Sequence, residues 1–152
     1  MTLKSALITG GNGNLGHLLA NHFENIGIHV ISYDIVKPQR PVDSQNIIIG
    51  DIRDSEKLRS LFEKERPDAV VHLAGLLSGS SEADPIAAWE INATASVNLM
   101  QTAEQYDVGP FVFSSTVASY GPDVPAELPA ETPQWPQNVY GATKIASERM
   151  GH

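Results

Sequence analysis

Two residues near the end of the chain have the types and the spacing needed to move a proton. Tyr140 and Lys144 lie four positions apart in a stretch that predicts a helix from about Val139 onward, so both side chains project from one helix face. Free tyrosine, with a pKa of about 10, is a poor base at neutral pH, but a neighbouring ammonium favours the phenolate and lowers that pKa. Such a pair can take the proton of an alcohol while hydride leaves the same carbon for a nicotinamide. Because Tyr-x-x-x-Lys is common on helices, the pair alone is a weak signal.

A third polar group would be needed to align the substrate oxygen. Ser114, Ser115 and Thr116 offer hydroxyls at the end of a predicted strand, where a parallel sheet meets its cofactor. Serines at a strand end are otherwise ordinary turn formers. His72, which lies in another predicted strand, is interpreted as a packed strand histidine rather than a catalyst.

A glycine-rich turn could hold the dinucleotide. Gly10, Gly13 and Gly16 form G-x-x-G-x-x-G between a predicted strand and a predicted helix. Gly10 permits the tight turn, Gly13 lets backbone N–H groups approach a pyrophosphate at the positive helix end, and Gly16 allows close packing of helix on strand. The strand before and the helix after this turn make an otherwise common pattern specific.

Carboxylates follow two predicted strands and could recognise the adenosine. Asp34 ends the second strand, where it can accept hydrogen bonds from both ribose hydroxyls and would repel a 2′-phosphate. This favours NAD over NADP, although Lys37 and Arg40 lie close enough downstream to reach a phosphate. Asp51 could accept from the adenine amino group while Ile52 covers the ring; an aspartate after a strand is more often a turn or helix cap.

Short apolar strands alternate with helices along the whole chain. Strands are predicted over residues 3–9, 28–33, 47–49, 69–73 and 111–114. Helices are predicted over residues 14–26, 55–65 with Ser55 as the cap, 85 to about 106, and from about 139. Residues 36–45 and the proline-rich residues 120–138 are predicted loops. The alternation indicates an α/β fold with a doubly wound parallel sheet of about five strands and helices on both faces.

Composition excludes several classes of protein. The 152 residues contain no cysteine and carry a formal net charge of −8, with no basic patch. Disulfides and thiolate sites are therefore absent, and binding to nucleic acid is disfavoured because it requires clustered Lys and Arg. We predict no metal site, no signal peptide, no membrane span and a cytoplasmic location.

Five motifs in this order resemble the extended short-chain dehydrogenase/reductase family, whose usual members are NAD-dependent nucleotide-sugar epimerases and dehydratases. The motifs are TGGNGNLG, GDIRD, HLAG, FSSTVASYG and YGATK, and the resemblance covers essentially the whole chain. It implies one NAD(P)-binding Rossmann domain over residues 1–152 without a second domain. It implies Tyr140 as the general acid/base, Lys144 on the nicotinamide ribose and tuning Tyr140, and Thr116 at the catalytic Ser/Thr position.

The resemblance also implies how the cofactor would be held. It implies a pyrophosphate cradle at Gly10, Gly13, Asn14, Leu15 and Gly16, Asp34 at the ribose, Asp51 and Ile52 at adenine, and Leu73, Ala74 and Gly75 behind the cofactor, with Asn92 and Ser114 supporting the site. The partners it implies are the dinucleotide and a small-molecule substrate, with a possible homodimer through the two long helices.

The resemblance leaves the reaction and the substrate open. A nucleotide sugar is favoured, but the segment 73–92 is also similar to relatives that oxidise small hydroxy acids or threonine. A dinucleotide-binding module without chemistry is the further alternative, and intact Thr116, Tyr140 and Lys144 speak against it. The resemblance implies members about twice as long, so we expect the sixth strand and the C-terminal substrate lobe of the family to be absent from these 152 residues. We expect the fifth strand to be an exposed sheet edge and the chain alone to be inactive or weakly active.

Overall fold

The computed structural model describes residues 3–38, 46–122 and 124–151. The chain divides into two compact units. Unit 1 comprises Met1–Ala74 and Asn98–Ser114, and unit 2 comprises Gly75–Val97 and Ser115–His152. Each unit carries one part of the predicted site.

Unit 1 contains the predicted five-stranded parallel sheet, which is confirmed. The strands are β1 Ser5–Thr9, β2 His29–Asp34, β3 Asn46–Ile49, β4 Ala69–His72 and β5 Phe111–Phe113, in the order β3-β2-β1-β4-β5. Leu7 of β1 is paired with Ile31 on one side and Val70 on the other. All four of the last residues of β1 are buried, as expected of a central strand covered on both faces. β5 ends the sheet, and Val112 on it is exposed.

The helices wholly within unit 1 are α1 Asn14–Asn25 and α2 Ser55–Glu65. Leu19 and Phe23 of α1 pack against a core of Ile8, Ala20, Val30 and Val71, whereas Leu15, Leu18 and Ile26 on the same helix are exposed. α2 buries Leu58, Leu61 and Phe62, as its periodicity predicts. Its predicted cap is wrong by one residue, because the carboxylate of Asp54, not Ser55, accepts the N–H of Lys57 at 3.0 Å.

Unit 2 is built mainly from helices. It contains α3 Ser78–Ala83, α4 Pro85–Ala88, a π-helical segment Trp89–Thr94, a 3₁₀ turn Val117–Ser119 and α6 Val139–Met150. The predicted helix from Pro85 is therefore interrupted by a π-helical turn before it continues as α5 Ala95–Gln105. The Ala95 N–H donates to Glu90 O, an i+5 bond, and such turns often occur at functional sites. α3 and the 3₁₀ turn were not predicted.

None of the helices in residues 3–38, 46–122 and 124–151 has the length and apolar character that a membrane crossing requires. The same ranges contain no group of three or more His, Cys, Asp or Glu side chains arranged to hold a metal ion.

Candidate functional site

The glycine turn of unit 1 joins β1 to α1 and brings the backbone into close contact with itself. Gly10 has φ +70°, and a Cβ there would lie 2.8 Å from Ala74 N and 2.9 Å from the carbonyl carbon of Leu73. A Cβ on Gly16 would lie 2.6 Å from Gly11 Cα and closer still to Gly10 O. Both positions therefore exclude a side chain, as the sequence predicted.

The first turn of α1 fits an anionic ligand. Its N-cap, Gly13, is extended and supplies no side-chain cap, and the first turn contains no acidic residue. The first backbone N–H groups of a helix have no intrahelical acceptor and lie at the positive end of its dipole. Asn14 and Leu15 are exposed there. These observations match the chemistry of a dinucleotide pyrophosphate.

Asp34 lies at the end of β2 with both carboxylate oxygens accepting backbone N–H groups. Asn12 N donates to Oδ2 at 3.0 Å and Val36 N donates to Oδ1 at 3.1 Å. Each oxygen keeps a lone pair for a further donor, which a ribose hydroxyl could supply. Lys37 is exposed in the turn that follows, and Arg40 lies outside the described residues.

Asp51 and Ile52, the two residues predicted at adenine, make contacts of their own within unit 1. Arg53 engages both carboxylate oxygens of Asp51, with Nη2 at 2.6 Å from Oδ2, and the hydrogen bond from the Arg53 side chain lowers the pKa of Asp51. Ile52, which the sequence predicts at adenine, is buried. Tyr33 donates its hydroxyl to Asp51 O at 2.8 Å; burial, then the charges of Asp54 and Asp51, raises the pKa of Tyr33 to about 12.

The ends of β4 and β5 are joined by hydrogen bonds within unit 1. Ser114 donates its N–H and its hydroxyl to His72 O at 3.2 and 3.1 Å, and Leu73 N donates to Thr9 O at 3.0 Å. His72 is fully buried against the rings of Phe111 and Phe113, in agreement with its interpretation as a packed histidine. Ala74, which borders the Gly10 turn, is half-buried.

In unit 2, α6 positions Tyr140 and Lys144 together. Lys144 Nζ lies 5.7 Å from the centroid of the Tyr140 ring. Two acceptors hold the start of the helix: Asn138 Oδ1 accepts Gly141 N at 2.7 Å, and Glu82 Oε1 accepts Val139 N at 2.6 Å.

Burial shifts the pKa values of both residues of this pair. It lowers the pKa of Lys144 to about 8 and raises the pKa of Tyr140, because the neutral form of each group is favoured away from water. The predicted lowering of the Tyr140 pKa by the lysine charge is therefore wrong.

Asn92 is the centre of a buried polar network in the π-helical segment. Its Oδ1 accepts Leu76 N at 2.7 Å, and its Nδ2 donates to Leu76 O at 3.0 Å and to Thr143 Oγ1 at 3.2 Å. Its carbonyl oxygen accepts the hydroxyls of Ser96 and Ser147 at 2.6 and 2.8 Å. Asn92 thus connects the segment after Gly75 to α6 through hydrogen bonds.

Gly75 and Thr116 lie in unit 2 with the pair on α6. A Cβ on Gly75 would lie 3.0 Å from Asn92 Oδ1 and 3.7 Å from Lys144 Nζ, so a side chain here would crowd Asn92. Thr116 begins the 3₁₀ turn and its Oγ1 accepts Ala118 N at 3.1 Å, which leaves the hydroxyl proton to donate.

The sequence analysis missed several residues that form hydrogen bonds with the predicted site residues or their neighbours. Ser115 donates its hydroxyl to Glu148, whose other oxygen accepts Gln134 Nε2 at 2.7 Å. Glu148 lies one helical turn after Lys144, a spacing that was visible in the sequence. Glu82 and Asn12 gave no such signal, because their partners lie 57 and 22 residues away in the chain.

Comparison with known proteins gives consistent matches along almost the whole chain. Residues 6–152 match the model of the NAD dependent epimerase/dehydratase family. The chain is 34% identical over 149 residues to a UDP-glucose 4-epimerase of Halalkalibacterium halodurans, covering 96% of this chain and 45% of that protein. It is 30% identical over 153 residues to an uncharacterized epimerase/dehydratase of Staphylococcus saprophyticus, covering 97% and 48%. The chain thus spans about half the length of the curated relatives it matches.

Solved structures agree with the sequence relatives. A UDP-glucose 4-epimerase from Brucella ovis in complex with NAD superposes with a TM-score of 0.90 at 29% identity, covering 97% of this chain and 46% of that one. The L-threonine dehydrogenase of Clostridium difficile superposes with a TM-score of 0.90 at 31% identity, covering 99% and 48%. These likenesses confirm the predicted Rossmann-type fold.

Proposed function

The chain belongs to the NAD dependent epimerase/dehydratase family, and we propose that it carries the dinucleotide site and the proton-transfer residues of an oxidoreductase. The reaction would move hydride between NAD and a hydroxyl-bearing substrate. The observation that supports this most strongly is the burial of Lys144 beside the ring of Tyr140 on α6. Burying an amine is costly, and groups with strongly perturbed pKa values cluster at functional sites.

The cofactor assignment rests on unit 1. The uncapped start of α1, with Gly10, Gly13, Asn14, Leu15 and Gly16, would hold the pyrophosphate. Asp34 would accept the ribose hydroxyls, which favours NAD over NADP. The chemistry that the bound dinucleotide supplies is hydride transfer at its nicotinamide. We propose that residues 1–152 together form one dinucleotide-binding domain.

The remaining predicted cofactor residues have supporting roles in this proposal. Asp51 would accept a hydrogen bond from the adenine amino group through a carboxylate lone pair that Arg53 does not use. Backbone at the ends of β4 and β5 would border the cofactor, and Asn92 would keep α6 in place through its buried hydrogen bonds. The residues concerned are Asp51, Ile52, Leu73, Ala74, Gly75, Asn92 and Ser114.

The proton chemistry follows from the states of Tyr140 and Thr116. Because burial raises the pKa of Tyr140, its phenol is protonated at neutral pH and can donate a proton to a carbonyl oxygen. In the opposite direction Tyr140 must first ionise, so oxidation of an alcohol is favoured by higher pH. The free hydroxyl proton of Thr116 would hold the substrate oxygen through a hydrogen bond.

Two substrate classes have support. Nucleotide sugars are favoured because UDP-glucose 4-epimerases recur among the sequence and structural relatives. A small hydroxy acid or threonine-like substrate is supported by the likeness to a threonine dehydrogenase and by exposed Ser78 and Ser80 on α3. Pairing of two copies through the long helices stays a prediction, which sedimentation of the purified chain can test.

Titration of the 152-residue chain with NADH tests the cofactor assignment. We expect nicotinamide fluorescence to rise on binding, and Asp34→Arg to lose NADH affinity while gaining affinity for NADPH. The arginine removes the ribose acceptor and supplies a charge for the 2′-phosphate. If neither dinucleotide binds the unmodified chain, the assignment is overturned.

The chemistry is tested with substrates. The protein, in its longest available form, is incubated with NAD and either UDP-glucose or L-threonine, and sugar epimerisation and NADH formation are measured. Turnover that disappears in Tyr140→Phe supports the proton-transfer role. NAD binding without turnover of any hydroxyl-bearing substrate would favour a binding module instead.

A further inference from the structure

We propose that Asn12 is a positioning residue that sets the preference for NAD over NADP, an inference that rests on the proposed dinucleotide site. Asn12 lies in the glycine turn, but its contacts are with the end of β2 and the turn that follows. Its function would be to hold that turn where the Asp34 carboxylate faces the adenosine ribose.

Asn12 makes three hydrogen bonds to alternate residues along this part of the chain. Its side-chain Oδ1 accepts the Ser32 hydroxyl at 2.9 Å, and its Nδ2 donates to Val36 O at 2.6 Å. Its backbone N–H donates to Asp34 Oδ2 at 3.0 Å. One residue therefore fixes the strand before the carboxylate, the carboxylate itself and the turn after it.

The hydrogen bond between Ser32 and Asn12 requires the space that Gly11 leaves open. Ser32 is fully buried, and a Cβ on Gly11 would lie 3.0 Å from Ser32 Cβ and overlap its hydroxyl. The absence of a side chain at Gly11 is thus what admits the Ser32 hydroxyl beside Asn12. A buried hydroxyl requires a partner, and Asn12 Oδ1 provides it.

The turn after β2 depends on these hydrogen bonds because it has little apolar packing. Ile35 is 64% exposed and Val36 is 54% exposed, so neither anchors the turn in the core. Loss of the Asn12 side chain would remove the bonds to Ser32 and Val36 O, which leaves the carboxylate held by the two backbone donors, Asn12 N on Oδ2 and Val36 N on Oδ1. A 2′-phosphate needs the Asp34 carboxylate to turn away, and exposed Lys37 could then approach the phosphate.

The experiment compares Asn12→Ala with the parent chain and with Asn25→Ala, a matched change at the exposed end of α1. Dissociation constants for NADH and for NADPH are measured by fluorescence, and the melting temperature is measured without nucleotide. We expect Asn12→Ala to weaken NADH binding about five- to tenfold and NADPH binding less than twofold, so that the preference for NADH falls at least about 2.5-fold. Asn25→Ala should leave both constants unchanged.

The outcomes separate this inference from the proposed function. A parent chain that binds neither dinucleotide overturns the proposed function and this inference with it. A parent that prefers NADH, with the same preference in Asn12→Ala, overturns only the role of Asn12, and so does an equal loss of both affinities. Should Asn12→Ala fail to fold, Ser32→Ala removes one of the three hydrogen bonds, and an unchanged preference in that variant also overturns the inference.

Discussion

Lys144 Nζ lies 5.7 Å from the centroid of the Tyr140 ring, and Lys144 is only 2% exposed. Burial acts on the two groups in opposite directions: it lowers the pKa of Lys144 to about 8 and raises that of Tyr140. Both shifts have one cause, since the charged form of either group loses hydration in this position. At neutral pH the pair is therefore a protonated phenol beside an ammonium that burial makes easier to deprotonate.

The buried lysine predicts a pH-dependent stability. The pKa of Lys144 is about 8 in the folded protein and near its ordinary 10.5 in the unfolded chain. Between these values the unfolded chain binds more protons, so the contribution of Lys144 to the free energy of unfolding rises with pH. Below pH 8 the penalty for burying the charge is fully present. Lys144→Met should therefore be more stable than the parent at pH 7, by at most about 3 kcal/mol.

Urea unfolding from about pH 7 to pH 9.5 checks this expectation. The stability advantage of Lys144→Met should be nearly constant up to about pH 8 and shrink from there to pH 9.5. The upper limit avoids the ionisation of Tyr140, whose raised pKa makes stability fall at higher pH. An advantage that stays constant with pH would contradict the shift assigned to Lys144.

Asn92 should be one of the most sensitive polar positions of unit 2. Asn92→Ala leaves the half-buried Leu76 N–H without its acceptor, removes one of the two donors to Leu76 O, and breaks the bond to Thr143. We expect a loss of about 2–3 kcal/mol in the free energy of unfolding. Asn98→Ala, the same change at an exposed site, should cost less than about 0.5 kcal/mol. Similar losses in the two variants, measured by urea unfolding, would disprove the importance of the network.

Gly16 should not accept alanine. The added methyl would overlap the backbone of Gly10 and Gly11, and we expect a cost of about 2–3 kcal/mol despite the better helix propensity of alanine. NADH affinity should fall with it, because the glycine turn must shift. Gly79→Ala is the control, since a Cβ there meets nothing within 4 Å. Thermal unfolding of a Gly16→Ala chain at the parental temperature would refute the packing argument.

The start of α6 should be stabilised by two side chains. Asn138→Ala removes the cap on Gly141 N and is expected to cost about 1 kcal/mol. Glu82→Gln keeps an acceptor for Val139 N but loses the negative charge at the helix start, so its smaller cost should diminish in high salt. Glu131→Gln, a change on an exposed loop residue, is the control. Equal salt dependence of the two glutamate variants would argue against the role of Glu82.

Elements whose causes are local could be predicted from the amino-acid sequence. Short apolar runs became β1 to β5, the periodic Leu58, Leu61 and Phe62 became the buried face of α2, and Gly10 was needed for a positive φ. The spacing of Tyr140 and Lys144 also sufficed to place them on one helix. Each of these features depends on steric limits or periodicity within a few residues.

The pKa shifts and the long-range hydrogen bonds became visible in the folded chain and could not be predicted from the sequence. The pKa shifts of Tyr140 and Lys144 come from burial, which no spacing in the sequence reports. The Asn92 network joins residues 51 positions apart, and Asn12 reaches Asp34 across 22 positions. Even the engagement of Asp51 by Arg53, two residues away, depends on the rotamer that the fold selects. Solvation and contact are properties of the packed chain, because they depend on which distant groups exclude water from a given side chain.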